Sequence, residues 1–193
     1  QDDCDDILKD TPHTGTQKKA GKPFNLIVYH PETENFDKAL DLASEFFSKI
    51  YEASKQRHQV VLWPNNDAGS YLCAKAIRQY REKKPDADIS FYKHFTSENY
   101  ACVMLGAKIL VGNSSSFIRE GEVLKKAAIV VGERQQGRDM GPNVSTIRNL
   151  KDLSIDRMLQ ETNPPEKQKN GYGNGRAGTS IAEEILNFCN KNR

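Results

Sequence analysis

The sequence predicts an α/β fold: a doubly wound parallel sheet with helices on both faces. Three observations predict it. Strand-like and helix-like segments alternate along most of the 193 residues. The strand segments are continuous apolar runs, such as Leu26-Ile-Val28 and Ile129-Val-Val131, and not apolar–polar alternations, so both faces of the sheet are covered. Polar residues and glycines gather where strands give way to helices, the end at which such sheets bind ligands.

The elements follow from local pattern. Residues 1–22 are polar without sustained periodicity, and 17–23 are rich in lysine and glycine; the stretch reads as a mobile linker or interdomain connector. Residues 24–30 form the first strand, closed by Pro31. Residues 36–55 carry Phe36, Leu40, Ala43, Phe46, Phe47 and Ile50 at helical spacing. A second strand at 58–63 ends at Pro64-Asn-Asn-Asp-Ala-Gly69, and a helix runs over 70–82. Then come a strand at 87–92, a helix at 97–106 capped by Ser97, a strand at 107–112, and a helix at 115–126. Strands at 127–132 and 144–148 and a helix at 150–160 complete the sheet region. Residues 163–179 read as a loop. A last helix spans 180–190, with Ser180 as its cap and Ile181, Ile185, Leu186 and Phe188 as its apolar face.

Bulk properties narrow the function. Hydrophobic residues are 37% and charged residues 28%, which suits a globular domain. A net charge of +2, without a long basic block, argues against nucleic acid or a membrane surface as partner. No apolar stretch approaches the ~20 residues of a membrane span, and the N-terminus does not read as a signal peptide. The chain begins at Gln1, which fits a processed protein or a piece of a longer one. Cys4, Cys73, Cys102 and Cys189 lack metal-ligand spacing, and Cys73 and Cys102 sit in apolar contexts as buried thiols. Together these fit a cytoplasmic protein.

Chemistry is expected just after strands. Val111-Gly-Asn-Ser-Ser-Ser-Phe-Ile-Arg-Glu120 reads as strand, small polar turn and helix start. That geometry offers backbone N–H groups, serine hydroxyls and a helix dipole to an anion. Ser114 and Ser115 suit phosphate oxygens, and Glu120, further along the helix, is placed to accept ribose hydroxyls. An ordinary serine cap followed by a surface glutamate is the alternative. His30, at the end of the first strand, is the one catalytic candidate and a phosphate donor, or is merely bonded to a loop. Asn65, with Asn66, Asp67 and Ser70, rings the second turn and contacts a nucleotide or only caps a helix. Arg134 and Arg138 either neutralise a diphosphate or anchor a loop. The P-loop and dinucleotide fingerprints are missing, so ATP, GTP and NAD are not favoured, and no cofactor is called for.

Six motifs, in order and in register, resemble the C-terminal half of the UDP-N-acetylglucosamine 2-epimerase family, with the hydrolysing branch the closer match. They are Tyr29-His-Pro-Glu-Thr33, Trp63-Pro-Asn-Asn-Asp-Ala-Gly-Ser70, Leu110-Val-Gly-Asn-Ser-Ser-Ser116 with Arg119-Glu120, Gly132-Glu-Arg-Gln-Gln-Gly-Arg138, Asn143-Val144 and Tyr172-Gly-Asn-Gly-Arg-Ala177. The resemblance implies a Rossmann-like sheet forming one half of a two-domain GT-B fold. Residues 1–22 would then be the interdomain segment and residues 23–193 the C-terminal nucleotide-binding domain, with the N-terminal domain absent. It implies that His30, Ser114, Ser115 and Arg134 lie at the phosphate end of a UDP site, that Glu120 reads the ribose, and that Asn65 lies on the nucleotide side. UDP or UDP-N-acetylglucosamine and the missing domain are the implied partners; a homo-oligomer of the full-length protein stays open.

The implied reaction eliminates UDP to give a 2-acetamidoglucal, then adds water. Its proton-moving acids come mainly from the absent domain, so this chain alone is expected to be inactive. A stand-alone sugar-nucleotide-binding module and half of a GT-B glycosyltransferase are the alternatives. Two departures stand out. Phe117 occupies a position that is commonly glycine, with the expectation that its bulk intrudes on the cradle. Lys125-Lys-Ala127 replaces a Gly-x-Pro turn, with the expectation that the helix ends differently.

Overall fold

Every residue of Phe24–Val28 is buried, a pattern that a strand meets only when both sheet faces are covered. The computed structural model describes residues 2–32, 37–159 and 175–191. In chain order its elements are α1 (Asp2–Asp10), β1 (His13–Gly15), β2 (Phe24–Val28), α2 (Ala39–Ala53), β3 (His58–Leu62), α3 (Ser70–Lys83), β4 (Ile89–Tyr92) and α4 (Ser97–Gly106). They continue with β5 (Leu110–Gly112), α5 (Arg119–Val123), β6 (Ala128–Val131), β7 (Val144–Ile147), α6 (Ile155–Leu159) and α7 (Ala177–Lys191). Phe36, Gln160 and the 163–174 part of the expected loop, with Tyr172, lie outside the described residues.

The sheet order is β1-β4-β3-β2-β5-β6-β7. Strands β2 to β7 are parallel, and β1 pairs antiparallel with β4 at the edge. From β2 the chain winds outward through β3 to β4, returns to β5 on the other side of β2, and winds outward again. The doubly wound, Rossmann-like expectation therefore holds, and the switch point falls between β2 and β5.

Alternation along each strand feeds two cores. Ile27, Val61, Phe91, Val111 and Ile129 pack with Phe46, Phe47 and Ile50 of α2 and Ile77 of α3. Leu26, Val28, Val60, Tyr92 and Leu110 pack with Leu8, Val103, Met104 and Phe117 on the opposite face.

Several boundaries differ from the sequence reading, each for a physical reason. The N-terminal stretch is not irregular: α1 buries Cys4 and Leu8, and β1 adds an edge strand. The Tyr92 hydroxyl donates to the Leu8 carbonyl at 2.7 Å, and Lys18 pairs with Asp5 at 2.5 Å. One turn-to-turn apolar pair is too short a signal for periodicity, and the packing supplies the stability. Thr96, not Ser97, caps α4; its extended backbone lets its side chain accept the Asn99 N–H. The helix expected over 115–126 is broken into a 3₁₀ turn, Ser115–Phe117, and the short α5. The segment expected over 150–160 likewise opens with a 3₁₀ turn, Leu150–Asp152, before α6. Helix α7 starts at Ala177, so Ser180 is not its cap, and Ile181, Ile185, Leu186 and Phe188 are exposed.

The Lys125 departure resolves into a known cap. After α5 the Lys125 N–H bonds the Glu122 carbonyl and the Lys126 N–H bonds the Gly121 carbonyl, the two bonds of a Schellman motif. Lys125 takes the left-handed conformation at φ 53°, which side chains adopt at a cost. Lys125→Gly is expected to raise stability by about 0.5–1 kcal/mol, read as a shift in urea midpoint at constant slope.

Candidate functional site

The carboxyl ends of β2, β3, β5 and β6 carry the site. Gly112 ends β5 at φ 148°, and a Cβ there would lie 1.8 Å from the Val28 carbonyl oxygen. Only glycine lets the two strands meet this closely at the switch point. The next residue, Asn113, is fully buried and ties the junction. Its side-chain oxygen accepts the His30 N–H at 2.7 Å, and its amide donates to the His30 carbonyl at 2.8 Å. Its own N–H donates to the Val28 carbonyl at 3.0 Å, and its carbonyl accepts the Gln135 amide at 2.8 Å.

His30 thus sits on a fixed backbone, half-buried. Its Nδ1 accepts the Asn65 N–H at 3.1 Å, which leaves the proton on Nε2. Burial, reinforced by the nearby Arg134 charge, lowers its pKa to about 4. The imidazole is therefore neutral near pH 7 and offers one N–H donor, not a cation.

Asn65 donates its side-chain amide to Asp67 at 2.5 Å, and Arg134 donates to the same carboxylate oxygen at 2.6 Å. The Asn65 hydrogen bond and the Arg134 guanidinium hold the Asp67 carboxyl low. Of the two readings offered for Arg134, loop anchoring is the one seen here: it joins the turn after β6 to the turn after β3. Arg138 is exposed. Glu32, buried beside β6, accepts the Glu133 N–H at 3.2 Å and supports the start of the same loop.

Ser114 is almost fully buried and caps the 3₁₀ turn by accepting the Ser116 N–H. The Ser115 hydroxyl is half-exposed and makes no hydrogen bond to a described residue. Glu120 is exposed in the first turn of α5. With the helix broken, the dipole contribution expected here is small, and what the turn offers is hydroxyls and turn N–H groups. Phe117 corrects another expectation: its side chain is wholly buried in the core with Val28 and Met104, so it does not crowd the crevice.

The structure thus brings His30, Asn65 and Arg134 into one bonded network through Asp67, and links His30 to the start of the serine turn through Asn113. Glu120 lies beyond them on α5 and joins none of these bonds. Sequence reasoning missed the roles of Asn113, Gln135 and Glu32. Asn113 was visible only as a turn residue, and the other two act on partners distant in sequence.

The UDP-N-acetylglucosamine 2-epimerase family model matches residues 2–186. The chain belongs to this family. It is 27% identical over 180 residues to a UDP-N,N'-diacetylbacillosamine 2-epimerase (hydrolyzing) of Legionella pneumophila, a match covering 88% of this chain and 46% of that protein. It is 30% identical over 121 residues to the UDP-N-acetylglucosamine 2-epimerase of Neisseria meningitidis, covering 63% of this chain and 30% of that protein. The chain thus spans less than half the length of these family members. Among solved structures it resembles the S. aureus MnaA–UDP co-structure, with a TM-score of 0.60 at 16% identity over 92% of this chain and 50% of that one. The UDP-GlcNAc 2-epimerase of Methanocaldococcus jannaschii matches with a TM-score of 0.60 at 15% identity, over 97% of this chain and 50% of that one. The family fold is shared: a Rossmann-like sheet of the kind that forms half of a GT-B pair. Among the described residues no helix is long and apolar enough to cross a membrane, and no His, Cys, Asp or Glu cluster has the makings of a metal site.

Proposed function

We propose that this chain is the UDP-binding half of a hydrolysing UDP-N-acetylglucosamine 2-epimerase, converting UDP-N-acetylglucosamine and water to N-acetylmannosamine and UDP. Family membership and the hydrolysing activity named for the Legionella relative support the reaction class. The observation that carries the site is the fixed array at the switch point: a neutral His30 N–H donor and serine hydroxyls on one rigid junction, with an exposed carboxylate on the short helix that follows the serines.

The reaction breaks the bond between the anomeric carbon and the diphosphate oxygen. Negative charge grows on the departing UDP, and fixed donors are worth most there. Ser114 and Ser115 donate to phosphate oxygens, as does His30 through Nε2. Glu120 accepts the ribose hydroxyls. Arg134, with its charge shared by Asp67, holds the loop over the diphosphate and lends positive potential. Asn65 serves by fixing His30. The groups that remove the proton at C2 and guide water belong to the N-terminal domain. The chain alone is inactive in this reading. A cytoplasmic setting fits the buried, unpaired thiols of Cys4 and Cys73.

Calorimetry of this chain with UDP tests the proposal. Binding is expected, and Glu120→Ala and Ser115→Ala are each expected to weaken it roughly tenfold through loss of charged-group hydrogen bonds. Absence of UDP binding by the parent chain overturns the site, and turnover of UDP-N-acetylglucosamine by this chain overturns its assigned inactivity.

A further inference from the structure

The serine turn is wired into the neighbouring helix. Ser114 Oγ and Ser116 Oγ are 2.8 Å apart, and Ser116 Oγ is 2.8 Å from the Tyr100 hydroxyl on α4. The Ser116 N–H also donates to Ser114 Oγ, at 3.4 Å. Three hydroxyls therefore form one chain from α4 to the cradle. The Tyr100 ring packs against the core cluster that holds Val103, Met104 and Phe117, which fixes its end of the chain. Burial pushes its phenol up to about 12, so the hydroxyl keeps its proton throughout the neutral range.

The direction of the chain follows from hydroxyl chemistry. A phenol is a stronger donor and a weaker acceptor than an aliphatic alcohol, so Tyr100 donates to Ser116. Ser116 then donates to Ser114. The two acceptor sites of Ser114 are taken by the Ser116 O–H and N–H, and its own proton is left over. The opposite direction would consume the Ser114 proton inside the protein.

We propose that Tyr100 is a positioning residue for the diphosphate, acting through Ser116 to set the Ser114 O–H outward as a donor to a phosphate oxygen. This rests on the reading of the serine turn as a diphosphate site. The three hydroxyls polarise one another in sequence, which strengthens the terminal donor by on the order of 10–30% per bond. Tyr100 does not touch the ligand, and its effect is confined to the phosphate end.

NMR titrations of the whole chain with UDP and with uridine, which has the base and ribose but no phosphate, test this. Tyr100→Phe keeps the ring and removes only the phenolic oxygen. It is expected to weaken UDP roughly fivefold, the scale of one hydrogen bond, and to leave uridine unchanged. Ser116→Ala is expected to weaken UDP by at least as much. The double variant Tyr100→Phe/Ser116→Ala is expected to be no weaker than Ser116→Ala alone, because Tyr100 acts through Ser116. Unchanged UDP affinity in Tyr100→Phe, equal losses for UDP and uridine, or losses that multiply in the double variant each overturn the role of Tyr100. Failure of the parent chain to bind UDP is a separate result, and it overturns the diphosphate reading itself.

Discussion

Gly112→Ala is expected to cost about 4 kcal/mol or more, a large part of the stability of an ordinary domain. Two penalties add. The backbone is held at φ 148°, where side chains are strained, and the new methyl carbon would lie 1.8 Å from the Val28 carbonyl oxygen and 2.6 Å from its carbon. The clash is with backbone, so no rotamer change relieves it. Strand β2 cannot retreat, because β3 is bonded along its other edge and the Val28 carbonyl also accepts the Asn113 N–H. Thermal melts followed by circular dichroism are expected to fall by on the order of 10 °C, given the few degrees per kcal/mol typical of this size. Gly137→Ala is the control: Gly137 also has positive φ, at 78°, but nothing lies within 4 Å of a Cβ there. Its cost is expected to stay near 1 kcal/mol. Equal losses in the two variants would show that close approach of β2 and β5 is not what Gly112 secures.

Gly112 also marks where the sequence stops being legible. The strands themselves were readable, because Leu26-Ile-Val28 and Ala128–Val131 are apolar runs whose burial demands cover on both faces. Their order was not, since nothing local says that β5 returns to the side of β2 away from β3. Short-range signals also misled where two residues compete for one role. Thr96 and Ser97 are both good caps, and only the backbone at Thr96 decides between them. In the site, residues next to strand ends could be nominated one at a time. Their coupling could not: Asn113 meets His30 across 83 positions, and Arg134 meets Asp67 across 67. Tyr100 was unremarkable on its helix because its partner, Ser116, is brought to it by the fold. Phe117 was misjudged for a related reason. Its position beside the serines is a fact of sequence, but the tight 3₁₀ turn directs it into the core.

Stability is expected to fall as the pH is lowered from about 6.5 toward 4, through histidines that fold in the neutral form. Burial lowers the pKa of His30 to about 4, and burial also lowers that of His58, although Asp88 at 2.7 Å opposes the shift. In the unfolded chain both return to the ordinary value, so between the two limits the unfolded state binds more protons than the folded state. Unfolding is therefore favoured as protons are added, and the stability held above pH 6.5 is lost on the way down. The share of His30 is on the order of 3 kcal/mol at 1.36 kcal/mol per pH unit. Below that range Asp67, held low by Asn65 and Arg134, adds a loss of the same sign. Urea titrations between pH 7 and 5.5 follow the histidines ahead of the carboxylates that are held low, Asp5, Glu52, Asp67 and Asp88. His30→Asn supplies an oxygen where Nδ1 accepted the Asn65 N–H, without a group that titrates. It is expected to flatten the slope, with the remainder carried by His58, and an unchanged slope would remove His30 as the titrating group. The same residue links stability to ligand. Protonation at Nδ1 destroys the acceptor for Asn65 and brings a second positive charge toward Arg134. A diphosphate beside Nε2 acts the other way, favouring the charged imidazole and raising its pKa. UDP is therefore expected to protect the parent chain more at pH 5 than at pH 7, beyond its protection of His30→Asn.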